Sequence, residues 1–326
     1  MEYKHYQYKS ALSPYIRSFL EEKRALGFLF NGMAYQLHRL DQYWELHQFS
    51  DVRMSAERLD DWIKALPREG KSSHRSRICA VRSLGRYLAS LGLNTYVPVN
   101  CIRGNHPVIH ILSKSEIQEL FTVIDNYFPY SKNKIDYRLA NEYPIIFRLY
   151  YCCGMRNNEV CSLKTQNIDL EDGIITVLNG KNQKGRLVYI PADLLKLIRQ
   201  YYHWLVKELG YHPIWFFPGR IQDKHITAAG IDKKFNDFWN KTSASKSCER
   251  APTPHCLRHT FVVDRINLWI LSGVNLSTMS SYLSKYLGHN DWNETFYYYH
   301  LVDDAFKIIK SKDTVSTDVI PEVRRI

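Results

Sequence analysis

The chain has 326 residues, with 44 Lys and Arg against 33 Asp and Glu, a formal charge of +11. Hydrophobic residues at 45% and charged residues at 24% exclude wholesale disorder, and 15 Gly with 12 Pro exclude collagen-like or low-complexity chains. The length suits about two domains, no apolar run approaches the roughly 18–20 residues that span a bilayer, and the positive surplus favours a polyanion, most simply nucleic acid.

The opening residues lack the apolar core of a secretion signal, so a cytoplasmic location is expected. The cysteines contain no CxxC pair and read as reduced thiols.

Residues 1–97 read as a helical domain. Apolar spacing predicts helices around Tyr15 to Lys23, from Met33 through Leu37, Leu40 and Trp44, around Leu59, Trp62, Ile63 and Leu66, and from Lys71 to Leu91, stopping at Gly92. Charge in the last part is lopsided: Lys64, Arg68, Lys71, Arg75, Arg77, Arg82 and Arg86 face only Glu69. Lys71, Arg75, Arg77, Arg82 and Arg86 are therefore expected to contact DNA, with Arg75, Arg82 and Arg86 spaced along one helix face that tracks phosphates. The plainer alternative is a solvated basic face.

Residues 98–112, with Pro98, Gly104 and Pro107 and no helical period, read as a linker. Ser113 and Glu116 then have the spacing of a capping box that opens a second domain, expected over 113–310. That domain is predicted to be mostly helical with one β-hairpin, strands at 173–178 and 186–191 around a polar turn. Phe216 to Gly219 reads as a packed loop or strand, and residues 311–326 as a tail. The predicted fold class is mainly α with a small β-hairpin or sheet.

Four separated segments carry chemistry: Gly154-Met155-Arg156-Asn157-Asn158-Glu159; Gly180-Lys181-Asn182-Gln183-Lys184-Gly185-Arg186; His255-Cys256-Leu257-Arg258-His259; and Leu287-Gly288-His289, followed by Tyr298. They supply arginines, lysines, histidines and a tyrosine but one carboxylate, Glu159, too few for a two-metal nuclease. No metal or other cofactor is expected. Two guanidiniums can bind a phosphodiester bidentately and stabilise the charge added in a pentacovalent transition state. A tyrosine, with an ordinary pKa near ~10, attacks once a base takes its proton. A histidine can take that proton, and a lysine can give one to the leaving alkoxide. His255 and His259 also have a zinc-pair spacing, but Cys256 stands where the metalloprotease motif has Glu.

The order Arg…Lys…His-x-x-Arg…His…Tyr resembles the tyrosine recombinase (phage integrase) family, over nearly the whole chain. The resemblance implies a helical core-binding, SAM-like domain followed by an α+β catalytic domain. It also implies roles. Arg156 and Arg258 clamp the scissile phosphate, and Glu159 buttresses the site. Lys181 protonates the 5′-hydroxyl leaving group, with Lys184 the alternative in a turn where Asn182 replaces the family's usual glycine. His255 helps deprotonate the nucleophile, His289 hydrogen-bonds the phosphate, and Tyr298 forms a 3′-phosphotyrosyl bond. Tyr297, Tyr298 and Tyr299 are consecutive, and Tyr298 is chosen by its offset from His289 and the Tyr-x-His pattern. His259 is expected to be a structural histidine near the site.

The partners implied are double-stranded DNA, further copies of the chain in a four-protomer synapse, and accessory DNA-bending proteins or related recombinases, with no membrane. The reaction implied is site-specific recombination that integrates, excises or transposes a mobile element. A type IB topoisomerase and a non-catalytic DNA-binding regulator on the same fold are the alternatives.

Overall fold

The structure, a computed structural model, describes residues 4–27, 29–99, 109–130, 133–178, 185–221, 223–288 and Tyr298. Lys181, Lys184, His289, Tyr297, Tyr299, residues 100–108 and the tail at 311–326 lie outside the described residues. The chain divides into two compact units, Met1–Val108 and Ile109–Ile326.

In the first unit, α1 (Ser13–Ala25), α2 (Asn31–Leu46), α3 (Ala56–Ile63) and α4 (Lys71–Ser90) each bury one stripe. The stripes are Ile16, Phe19 and Leu20; Leu37, Leu40 and Trp44; Leu59 and Trp62; and Ile78, Val81, Leu84 and Leu88, the helical period that drives them together. The Ser55 hydroxyl caps α3 by accepting the Arg58 amide at 3.3 Å. That helix stops at Ile63, with Lys64 already extended, so Leu66, which is 41% exposed, lies outside it, and Pro67 disfavours helical backbone at Leu66 as well.

The basic face of α4 differs from expectation at one position. Lys71, Arg75 and Arg86 are exposed and Arg82 is half-buried, but Arg77 is 0% exposed. Arg77 Nε and Nη2 donate to the Glu69 carboxylate at 3.0 and 2.6 Å, and Nη2 also donates to the Lys64 carbonyl at 2.8 Å. Its guanidinium lies 5.1 Å from the Trp62 ring centroid. A buried guanidinium needs a partner to offset its lost hydration, so Glu69 and the α3–α4 connection hold Arg77 inside, away from any phosphate.

The second unit opens with the expected capping box on α5 (Lys114–Asp125): Ser113 Oγ accepts the Glu116 amide at 3.3 Å and Glu116 Oε2 accepts the Ser113 amide at 2.7 Å. Then come α6 (Lys134–Cys153), α7 (Asn157–Cys161), β1 (Ile168–Asp169), β2 (Ile174–Val177), β3 (Arg186–Tyr189), α8 (Ala192–Leu209), α9 (Ala228–Trp239), α10 (Pro254–Leu271) and α11 (Leu276–Leu287). The strands form an antiparallel sheet in the order β1-β2-β3, with Ile175 opposite Val188 and Val177 opposite Arg186. Ile175, Val177 and Val188 face the core while Leu187 and Tyr189 stay exposed, the alternation of a one-sided sheet. At two residues, β1 is too short to show that alternation in sequence.

Helix α6 runs through the main core, where Ile146, Phe147, Leu149 and Tyr150 pack with Ile198, Leu205, Phe235, Phe238, Trp239 and Leu257. Phe216 and Phe217 are fully buried, as a packed loop requires. A smaller cluster joins Phe261, Val262, Ile266, Leu283, Leu287 and Tyr298. The fold is mainly α with one small sheet. Among the described residues no helix is long and apolar enough to cross a membrane, and the described cysteines are unbridged.

Candidate active site

The site is built where α6, α10 and α11 converge. Gly154 ends α6 with φ +60°, and a Cβ there would stand 2.6 Å from Phe261 Cδ1 and 3.3 Å from Leu287 Cδ2. Only glycine allows both that left-handed turn and the close approach of α10 and α11. The chain then places Arg156 as the N-terminal cap of the short helix α7.

Arg258, on α10, is 1% exposed. Its Nη1 donates to the Gly154 carbonyl and its Nη2 to the Leu287 carbonyl at 2.9 Å. These carbonyls end α6 and α11, where helix backbones leave acceptors unpaired and negative dipole ends favour a cation. Burial, followed by the neighbouring Arg156 cation, pushes the Arg258 pKa down to about 10, so it remains charged at neutral pH.

Arg156 is tied at three points. Its amide and Nη1 donate to Glu159 at 2.8 and 3.1 Å, and its Nη2 donates to the Gly288 carbonyl at 2.6 Å. Glu159, 8% exposed at its side chain, also takes both Nη atoms of Arg186. Burial alone would raise the Glu159 pKa, but the hydrogen bonds and charge of Arg186, then Arg156, hold it below the ordinary carboxylate value.

Tyr298 is 4% exposed, and its hydroxyl lies 2.7 Å from Nδ1 of His259, the residue after Arg258. Tyr298 is close enough to Arg258 for the two to interact electrostatically. His255, one helical turn earlier, packs edge-on against His259 with ring centroids 4.5 Å apart. His255 keeps solvent access, yet the surrounding protein and the Arg258 and Arg156 cations push its pKa down to about 4, leaving it neutral near pH 7.

Arg156, Glu159, His255, Arg258 and Tyr298 are thus gathered in one site within the second unit. Lys181 and His289 fall outside the described residues. Two side chains that the sequence reading leaves without a chemical role are in the site: His259, which touches the phenol, and Arg186, which grips Glu159. The signal for His259 is its place directly after Arg258; for Arg186 it is the inward side of a strand that leaves the hairpin turn. Among the described residues no group of three His, Cys, Asp or Glu side chains is placed to hold a metal ion.

Comparison with known proteins follows the same lines. The model of the phage integrase family matches residues 110–304. A tyrosine recombinase of Pseudothermotoga lettingae is 25% identical over 261 residues, 75% of this chain and 77% of that one. Tyrosine recombinase XerA of Saccharolobus solfataricus is 27% identical over 267 residues, 78% of this chain and 77% of its own. Among solved structures, XerH site-specific recombinase bound to difH substrate, a pre-cleavage complex, aligns with a TM-score of 0.63 at 17% identity, over 96% of this chain and 99% of that one. That last likeness is one of fold.

Proposed function

The chain belongs to the phage integrase family, and on that premise we propose that it is a tyrosine recombinase that cuts and rejoins DNA at a specific site through Tyr298. The observation that carries the reading is the Tyr298 hydroxyl, held 2.7 Å from His259 Nδ1 in the same site as two anchored guanidiniums.

The geometry supports the following course. A scissile phosphodiester of duplex DNA seats against Arg156 and Arg258, whose guanidiniums are already oriented by backbone carbonyls. Tyr298 Oη attacks phosphorus and passes its proton to His259 Nδ1, the acceptor in contact with it. His255, to which the family pattern gives the deprotonating role, is neutral and lies edge-on behind that imidazole, which it steadies. The P–O5′ bond breaks, and the 5′-oxygen takes a proton from Lys181, the general acid implied by the family pattern.

The 3′-phosphotyrosyl bond keeps the energy of the ester. A 5′-hydroxyl from another strand can therefore reverse the step without ATP. Exchange between two duplexes needs four cleavages and hence four protomers on DNA. We read the biological outcome as integration, excision or transposition of a mobile element.

The test uses a duplex selected from a random-sequence pool for tight binding to this protein and nicked at each position in turn, so that cleavage releases a short end. In the presence of EDTA the wild type is expected to form a covalent protein–DNA adduct, and Tyr298→Phe to bind the duplex equally while forming none. Binding without adduct in the wild type would make the chain a DNA-binding regulator instead.

A further inference from the structure

Arg186 has no part in the steps above, yet it is built into the site. It opens β3, its side chain is 7% exposed, and its Nη1 and Nη2 donate to Glu159 Oε1 and Oε2, both at 2.6 Å. Its Nε is buried with no hydrogen-bond partner among the described residues, so the side-chain hydrogen bonds seen there all go to one carboxylate. A Cβ on Gly288 would stand 3.3 Å from Arg156 Nη1 and from Arg186 Cδ and Nη1, so both guanidiniums lie against one backbone turn.

The charges explain the arrangement. Arg156 and Glu159 alone form a neutral pair, a poor partner for a phosphodiester whose negative charge doubles as the fifth bond forms. Adding Arg186 neutralises the carboxylate a second time and leaves Arg156 with an uncancelled charge to offer. We propose that Arg186 is a positioning residue for cleavage: it neutralises and orients Glu159, so that Glu159 aims Arg156 without cancelling its attraction for the phosphate. This rests on the recombinase reading above.

The experiment uses the selected nicked duplex in two forms, one with an ordinary scissile phosphodiester and one with a methylphosphonate, in which a methyl group replaces a non-bridging oxygen and removes the charge. Adduct rate and duplex affinity are measured for the wild type, Arg186→Ala, Glu159→Gln and the double variant. Arg186→Ala is expected to slow adduct formation on the phosphodiester about 10- to 100-fold, the usual loss when a supporting partner of a working group is removed, with affinity nearly unchanged. That loss should shrink to within about threefold on the methylphosphonate, where less negative charge develops. The double variant should recover most of the rate, because a neutral amide in place of the Glu159 carboxylate needs no neutraliser.

Equal losses on both substrates, or a double variant no better than Arg186→Ala, would overturn the inference and leave Arg186 a purely structural residue. Should Arg186→Ala not fold, the double variant decides alone. A rate matching Glu159→Gln supports the inference, and a rate well below it overturns it. A wild type that forms no adduct on the phosphodiester would instead overturn the recombinase reading, and this inference with it.

Discussion

At the scale of single residues, protonation in the site is set first by removal from water and then by neighbouring cations. His255 illustrates this: crowding and two guanidiniums lower its folded pKa to about 4, below its ordinary value of 6.5. A depressed folded pKa means that the unfolded chain binds the proton more readily between those values. His255 therefore remains neutral, and its share of stability intact, above about pH 6.5, and that share is lost as pH falls toward 4. The second-order rate of adduct formation by the free protein should consequently show no His255 inflection between pH 8 and about 5. An inflection near pH 6.5 that disappears in His255→Gln would contradict this. Much of the residue-level chemistry is legible in sequence, because Arg156 with Glu159, and His255 with Arg258, are joined through one local turn. The contacts of His259 with Tyr298 and of Arg186 with Glu159 span 39 and 27 positions, and only the folded backbone brings them together.

At the scale of elements, the period of α4 puts Arg77 on the buried stripe with Val81, Leu84 and Leu88, but it does not name the partner that Arg77 meets there. The apolar stripe of α4 predicts which face is buried, and Arg75, Arg82 and Arg86 follow the opposite face. Arg77 has the same side chain but points toward Trp62 and Glu69, and nothing in a helical period says that Glu69 turns inward to meet it. The two kinds of arginine should separate experimentally. Arg77→Ala strands Glu69, whose carboxyl the Arg77 hydrogen bonds hold at about pKa 2, and should destabilise the protein by about 3 kcal/mol in denaturant unfolding. Replacing Arg75 and Arg82 together should leave stability nearly unchanged while flattening the dependence of DNA affinity on salt by about one unit of slope per lost phosphate contact. An Arg77→Ala protein as stable as wild type, or an unchanged slope on replacing Arg75 and Arg82, would contradict the respective assignments. The short β1 and the early end of α3 lack a periodic signal of their own.

At the scale of the whole molecule, two helical units follow from two sets of amphipathic helices, each burying its own core. The capping box at Ser113 marks the first helix of the second unit in sequence as in structure. The proposed site lies in that unit, where the ends of α6 and α11 present carbonyls to Arg258 and the glycines at 154 and 288 let the elements close on the arginines. The central claim is that these cations and histidines serve one phenol. The most direct measurement digests the trapped protein–DNA adduct and identifies the nucleotide-bearing residue by tandem mass spectrometry. Tyr298 is expected to be joined through its phenolic oxygen to a 3′-phosphate; attachment to Tyr297, Tyr299 or any other residue, or through a 5′-phosphate, would contradict this.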